Sequence, residues 1–245
     1  MSGIFQRSIP HDITPRALPG IGPLDEADWL QADEAFAGQM AERERLLSVR
    51  RDEVLAMTPQ GLAAADELLN YVLDWLGKNA KDYQVSTDQV RRPDGVSVTL
   101  DRGEPMATLG HLVQEDFCLL EKHGDEHVMT AAVLCFPASW RLADKIGRPL
   151  GAIHDPVEEY DETLARRVQR LFDGVQVGRP MWRFNLLHYA DPALFQPKTR
   201  TERGGPEYGT EFPYLRSERQ SVLRLPKSLA CVFSIHTYVV PRAAV

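Results

Sequence analysis

Cysteine is scarce in these 245 residues, and Cys118, Cys135 and Cys231 stand far apart with no C-x-x-C. That spacing excludes a zinc site or iron–sulfur cluster held within the chain, and three thiols in apolar runs fit a reducing compartment. No stretch approaches about 18 consecutive apolar residues, and residues 1–9 lack the apolar core of a signal peptide. A soluble cytoplasmic protein with no membrane partner is expected. G-x-G-x-x-G, P-loop, H-E-x-x-H and G-x-S-x-G patterns are all missing, which argues against a dinucleotide or ATP site, a zincin and a serine hydrolase. Basic clusters are also few. The net charge is −7, and the densest basic stretch, Lys198 to Arg203, contains Glu202 and sits among Pro and Gly. It reads as a solvated loop, and no nucleic-acid partner is expected.

What is present is an ordinary globular balance, 43% hydrophobic and 26% charged. Residues 1–23, with four prolines and three glycines, read as an extended lead-in. A helical pattern starts at Asp25 and carries Trp29, Phe36, Met40 and Leu47. Thr58-Pro59 marks a second helix start, followed by Leu62, Ala65, Leu69, Val72, Leu73 and Leu76 at helical spacing. Pro93-Asp94-Gly95 reads as a turn before a short strand, Val96 to Leu100. Thr108 to Lys122 reads as a weaker helix, and Val128 to Phe136 as a buried strand after a turn at residues 123–126. Ser139 can cap a short helix through residues 145–147, and Asp161 or Glu162 opens another with Leu164, Val168, Leu171 and Phe172. The C-terminal third looks like sheet: Trp182 to Tyr189 alternates, and Gln220 to Leu225 and Ala230 to Val240 flank a polar loop, Pro226-Lys227-Ser228. Pro192 to Pro213 is a long Pro/Gly-rich loop. Helices first and antiparallel strands later imply an α+β fold, with residues 1–95 as lead-in and helical region and residues 96–245 as the core, together one continuous unit.

Seven histidines are the first candidates for metal or acid–base chemistry. His11 lies in the lead-in and His111 on a helix. His123 and His127 straddle a turn, so they lack the rigid spacing of a zinc pair. His188 and His236 lie on expected strands, as satisfied core histidines or as lining of a cavity. His154 sits between the glycines at 147 and 151 and Asp155-Pro156, in a short loop held by two backbone-restricting residue types. That suits a ligand whose direction matters, and equally a turn histidine bonding backbone. The cysteines, in apolar runs that raise thiol pKa, make poor nucleophiles.

At these residues the sequence resembles a known family. Phe136-Pro137-Ala138-Ser139-Trp140, then Lys145-Ile146-Gly147, then Ile153-His154-Asp155-Pro156-Val157 are similar to the signature of the haem-dependent oxidative N-demethylases. Trp182-Arg183-Phe184-Asn185, and Leu215 to Gln220 with Leu225-Pro226-Lys227, resemble two later blocks of that family. The blocks span about residues 130–240, and the N-terminal part is similar only in general layout.

The resemblance implies a PAS-like antiparallel sheet enclosing haem b, with a histidine ligand to the iron. His154 is the best match for that ligand, with His188 and His236 as alternatives. On the same basis Arg216, Arg219 and Arg224 are candidates for the haem propionates, with Asn185 and His236 beside the cofactor. Glu218 is a candidate to hold a cationic amine, and Trp182 or Tyr189 to offer it a cation–π face. For each, packing or a local ion pair is the competing role. Asp155 and Glu158-Glu159-Tyr160 depart from the family's expected Pro/Gly-rich continuation, which leaves the axial position open.

The implied activity is oxidation of a small secondary or tertiary amine by dioxygen with release of formaldehyde. Electrons would come from a separate flavin/iron–sulfur reductase subunit, because this chain carries no motif for either group. A haem-binding sensor or carrier without turnover, and a haem-free structural subunit, are the rival readings.

Overall fold

The computed structural model describes residues 3–14, 20–154, 162–198 and 212–244. In chain order, β1 (Gly22–Pro23) precedes helices α1 (Phe36–Val49) and α2 (Arg51–Val54), then β2 (Leu55–Met57) and the long helix α3 (Leu62–Asn79). Three short strands follow, β3 (Gln84–Val85), β4 (Gln89–Arg91) and β5 (Ser97–Thr99), then α4 (Pro105–Leu112). Next come β6 (Asp116–His123), β7 (Glu126–Val133), α5 (Leu150–His154), α6 (Glu162–Gly174), β8 (Met181–Tyr189), β9 (Tyr214–Arg224) and β10 (Cys231–Pro241). The expected α+β class holds.

Seven strands form one antiparallel sheet in the order β1-β8-β9-β10-β6-β7-β2, and β3-β4-β5 form a second, small one. The five long strands therefore stand in spatial order 3-4-5-1-2, with α5 and α6 in the connection between the second and third. Strands β1 and β2, from the first 95 residues, pair with β8 and β7.

Period-2 alternation gives this sheet two buried faces. Phe117 and Leu119 of β6 join Trp29, Leu46, Leu69, Leu76 and Val232 in one core, under the N-terminal helices. Cys118 and Leu120 join Leu150, Ile153, Phe172, Val222 and Ile235 in the other, under α5 and α6. All three cysteines are buried. Desolvation pushes the Cys135 thiol up to about 12 and Cys231 to about 11, so neither is a ready nucleophile.

Several expectations change. The pattern from Asp25 is not one helix: residues 26–28 make a single 3-10 turn, and α1 begins only at Phe36. The stretch from Thr108 to Lys122 is the end of α4 followed by strand β6. An apolar run buried on both faces carries no alternation, so period cannot tell it from a buried helix. Asp116 is what anchors the strand's start. Its carboxylate takes Arg43 Nη1 at 2.6 Å and the backbone N–H groups of Cys135 and Phe136 at 2.7 and 2.8 Å, all buried. Ser139 does not cap a helix either. It adopts φ 59°, and its Oγ lies 2.9 Å from the Tyr189 hydroxyl.

The helix expected from Thr58-Pro59 does form, through a 3-10 turn at Pro59–Gly61. Gly61 is needed there, since a Cβ would stand 2.7 Å from the Thr130 carbonyl oxygen. Of the long loop after Pro192, residues 199–211 lie outside the described residues. Its first part is tied to the Phe136–Trp140 block, because Ser139 N–H donates to Gln196 O at 3.0 Å.

Candidate functional site

Register sorts the candidate residues onto the two faces. On β8, Arg183 pairs across from Gln220, Asn185 from Glu218 and Leu187 from Arg216. These side chains, with Tyr189 and Arg224, point toward α5 and α6. The intervening residues, Trp182, Phe184 and His188 on β8, Arg219 on β9 and His236 on β10, point toward the N-terminal helices. Of the proposed catalytic trio, Glu218 and Tyr189 share a face and Trp182 does not.

On the helix-facing side, Glu218 is almost fully buried. Its Oε2 accepts from Asn185 Nδ2 at 2.8 Å and from Gln220 Nε2 at 3.0 Å, and its Oε1 lies 3.5 Å from Arg216 Nη2. The Glu218 backbone N–H donates to Asn185 Oδ1 at 2.8 Å, so the Asn amide grips both ends of one residue. A carboxylate fixed by two neutral amides keeps its orientation while carrying negative charge into a largely apolar surrounding.

The three arginines proposed for propionates have other partners. Arg216 donates to the carbonyls of Leu194 and Phe136, and its guanidinium lies 5.8 Å from the Tyr189 ring centroid. Arg219 donates to the carbonyls of Trp29 and Asp28 and lies over the Trp182 ring, on the opposite face. Arg224 donates to the carbonyls of Phe172, Val175 and Leu229, capping the end of α6. Each guanidinium holds backbone in place. The aromatic faces of Trp182 and Tyr189 already receive these arginines, which removes the expected open cation–π platform.

His236 is likewise committed. Its Nδ1 lies 3.1 Å from Glu115 Oε1 and its Nε2 3.1 Å from Asp33 Oδ2, with the ring fully buried. Burial pulls its pKa down, but the hydrogen bonds and charges of the two carboxylates outweigh this and raise it to about 9. His236, expected as an alternative ligand or cofactor contact, sits at the centre of a buried ion cluster with both ring nitrogens engaged. Burial pulls Asp33 upward, yet the bond to His236 holds it down at about 2. Nothing in the sequence linked Asp33 and Glu115 to this histidine, since 203 and 121 residues of chain separate the hydrogen-bonded pairs.

His188 faces the N-terminal side, away from Glu218, and its Nδ1 is buried with no hydrogen-bond partner among the described residues. His11 belongs to the structure rather than to a loose lead-in, packing against Trp182, Phe184 and Tyr238 with ring centroids 5.0–5.7 Å away. His127 is buried beneath α6, with Nδ1 2.9 Å from Gln169 Nε2. His154 ends α5, so its backbone is helical rather than the loop expected. Its imidazole and residues 155–161 lie outside the described residues. Among the described residues no three His, Cys, Asp or Glu side chains cluster as a chelating site.

One functional candidate went unnamed in the sequence reading. Arg183 lies on the helix-facing side, two residues from Asn185, with its Nε buried and unpaired. Its parity, shared with Asn185 and Tyr189, was the available signal. The half-buried side chains around it include Met181 and Phe233, so the surface combines apolar walls with charge of both signs. That mixture suits a flat apolar macrocycle with carboxylate edges.

No helix among the described residues is long and apolar enough to cross a membrane. A family model described as "haem-dependent oxidative N-demethylase, alpha subunit-like" matches residues 20–245. The match takes in α1 to α4 as well as the sheet, far beyond the blocks that carried the sequence resemblance. The chain belongs to the haem-dependent oxidative N-demethylase alpha subunit-like family.

Proposed function

We propose that this chain binds haem b between the sheet and α5–α6 and oxidatively demethylates a small secondary or tertiary amine. The observation that carries the reading is the Glu218 carboxylate, oriented by Asn185 and Gln220 on the face that α5 and His154 approach. The family's name supports the cofactor and the class of reaction. The strand order 3-4-5-1-2, with helices between the second and third long strands, supports a PAS-like core.

His154 is the residue proposed to ligate iron, through a neutral imidazole nitrogen. Bound haem supplies the redox chemistry that lets dioxygen oxidise an N-methyl group. Glu218 holds the ammonium form of the amine in place, and Asn185 keeps that carboxylate aimed. In balance, an N-methyl amine, dioxygen, two electrons and two protons give the demethylated amine, formaldehyde and water. A separate flavin/iron–sulfur reductase subunit supplies the electrons, a partner in keeping with an alpha-subunit-like family. The three free, buried thiols support a cytoplasmic site of action.

Reconstitution with haem followed by an optical spectrum tests the cofactor, and a Soret band is the expected result. Its absence sinks the haem reading. Dimethylamine, dioxygen and a chemical reductant should then release formaldehyde. A haem protein that releases none is a sensor or carrier instead. A His154→Ala variant with an unchanged axial-ligand spectrum overturns the ligand assignment.

A further inference from the structure

Among the described residues, Arg183 is a charged group on the helix-facing side with no hydrogen-bond or ion-pair partner. Arg216 and Arg224, on the same face, reach backbone carbonyls. The Arg183 guanidinium makes no hydrogen bond or ion pair among the described residues, and its Nε is shut off from solvent as well. Glu218, diagonal to it across β8 and β9, is engaged by Asn185, Gln220 and Arg216 instead. Burial works against the charged form of Arg183, with the charge of Glu218 pulling the other way. An anion on the remaining donors of a half-buried guanidinium whose Nε is cut off from water stabilises it more than hydration of its open side does. Its cross-strand neighbour Gln220 is neutral, so the register supplies no counter-ion directly opposite it.

We propose that Arg183 is a carboxylate anchor, gripping a ligand's carboxylate on the helix-facing side of the sheet through the paired donors of its guanidinium. The planar fork of arginine matches a carboxylate with two parallel hydrogen bonds. Two sources carry that chemistry: a haem propionate, which rests on the haem reading above, and the carboxylate of an N-methyl amino acid, whose amine would reach Glu218.

The full-length chain, Arg183→Met and Arg183→Lys distinguish these. Each is loaded with haem b and, separately, with haem whose propionates are methyl esters, and haem loss to a scavenging apoprotein is timed. If the propionate is the ligand, Arg183→Met loses haem b at least tenfold faster than the parent, Arg183→Lys falls between, and all three lose the ester at one rate. If the substrate carboxylate is the ligand, haem loss is unchanged. Arg183→Met then weakens the Soret perturbation by N-methylglycine at least tenfold and leaves that by dimethylamine alone. Unchanged haem loss together with unchanged N-methylglycine affinity overturns the proposal. So does a lowered denaturation midpoint for haem-free Arg183→Met, because that reveals a carboxylate of the chain itself as the partner. Should the parent take up no haem, the haem reading fails on its own, and calorimetric titration with N-methylglycine decides. Binding that disappears in Arg183→Met supports the anchor, and no binding to the parent overturns it.

Discussion

On the N-terminal side of the sheet the buried charges are matched within the protein: Arg43 with Asp116, and His236 with Asp33 and Glu115. On the other side, one strand pair away, Arg183 has no counter-ion among the described residues, while Glu218 is held by two neutral amides with Arg216 Nη2 3.5 Å away. Both faces belong to the same strands, so strand propensity cannot explain the difference. What differs is the covering. The first face is sealed by helices that bring their own acids and bases, whereas the second leaves Arg183, Asn185 and Gln220 half exposed. Charge matched inside the chain holds the fold together, and the unmatched Arg183 is the group on which the proposed carboxylate site rests.

Substitutions can break that contrast, and the largest effect should fall at Asp116. Asp116→Ala strands a fully buried Arg43 and two backbone N–H groups, and should cost about 3–5 kcal/mol by chemical denaturation. Next comes His236→Gln, which removes the cation from between two acids and should cost roughly 1.5–3 kcal/mol near pH 6. Its pH signature is more telling. The folded-state pKa of His236, about 9, lies above the ordinary histidine value, so its stabilisation is complete below about pH 6.5 and fades as pH rises through about 9. Asp33 works in the opposite sense, its contribution present above about pH 4 and lost as pH falls toward 2. Parent stability should therefore decline from neutral pH to pH 9, and His236→Gln should flatten that decline. A parent profile that stays level across this window breaks the assignment.

On the second face the effects on stability should be smaller and those on function larger. Glu218→Gln should change stability by less than about 2 kcal/mol, because a carboxylate held by two amides is exchanged for an amide of nearly the same shape. The same change should raise KM for dimethylamine at least tenfold in steady-state assays. The smallest expected effect is also the sharpest in sign: Arg183→Met should leave the haem-free chain unchanged or more stable by up to about 1 kcal/mol. A loss of stability there would place Arg183 with the matched charges of the first face.

The elements themselves were largely legible. The run from Trp182 to Tyr189 became β8, the two runs around Pro226 became the β9–β10 hairpin, and the heptad-like spacing after Pro59 became α3. Misread segments share a cause, in that tertiary contacts overrode local pattern. Asp116 looked like a polar residue on a helix but is a strand terminus locked to Arg43, 73 residues away. Ser139 carried a helix-capping residue type yet turns to meet Tyr189, 50 residues on. Of the site, Glu218, Tyr189 and Asn185 were named for separate roles, and the strand register is what brings them to one face. Arg216, Arg219, Arg224 and His236 were named from the family resemblance and residue type, neither of which reveals what a donor already holds.

For His154, sequence established the block in which it sits, and the fold adds that its backbone closes α5 on the side of the sheet that Glu218 faces. The sequence by itself determined the alternation along each strand, the helix spacing and the family blocks, because these depend on neighbours two to seven residues apart. Only the tertiary structure decided which parity meets which helices, and so which charges are neutralised. That outcome depends on pairs such as Asp33 with His236, 203 residues apart, whose meeting no local period encodes.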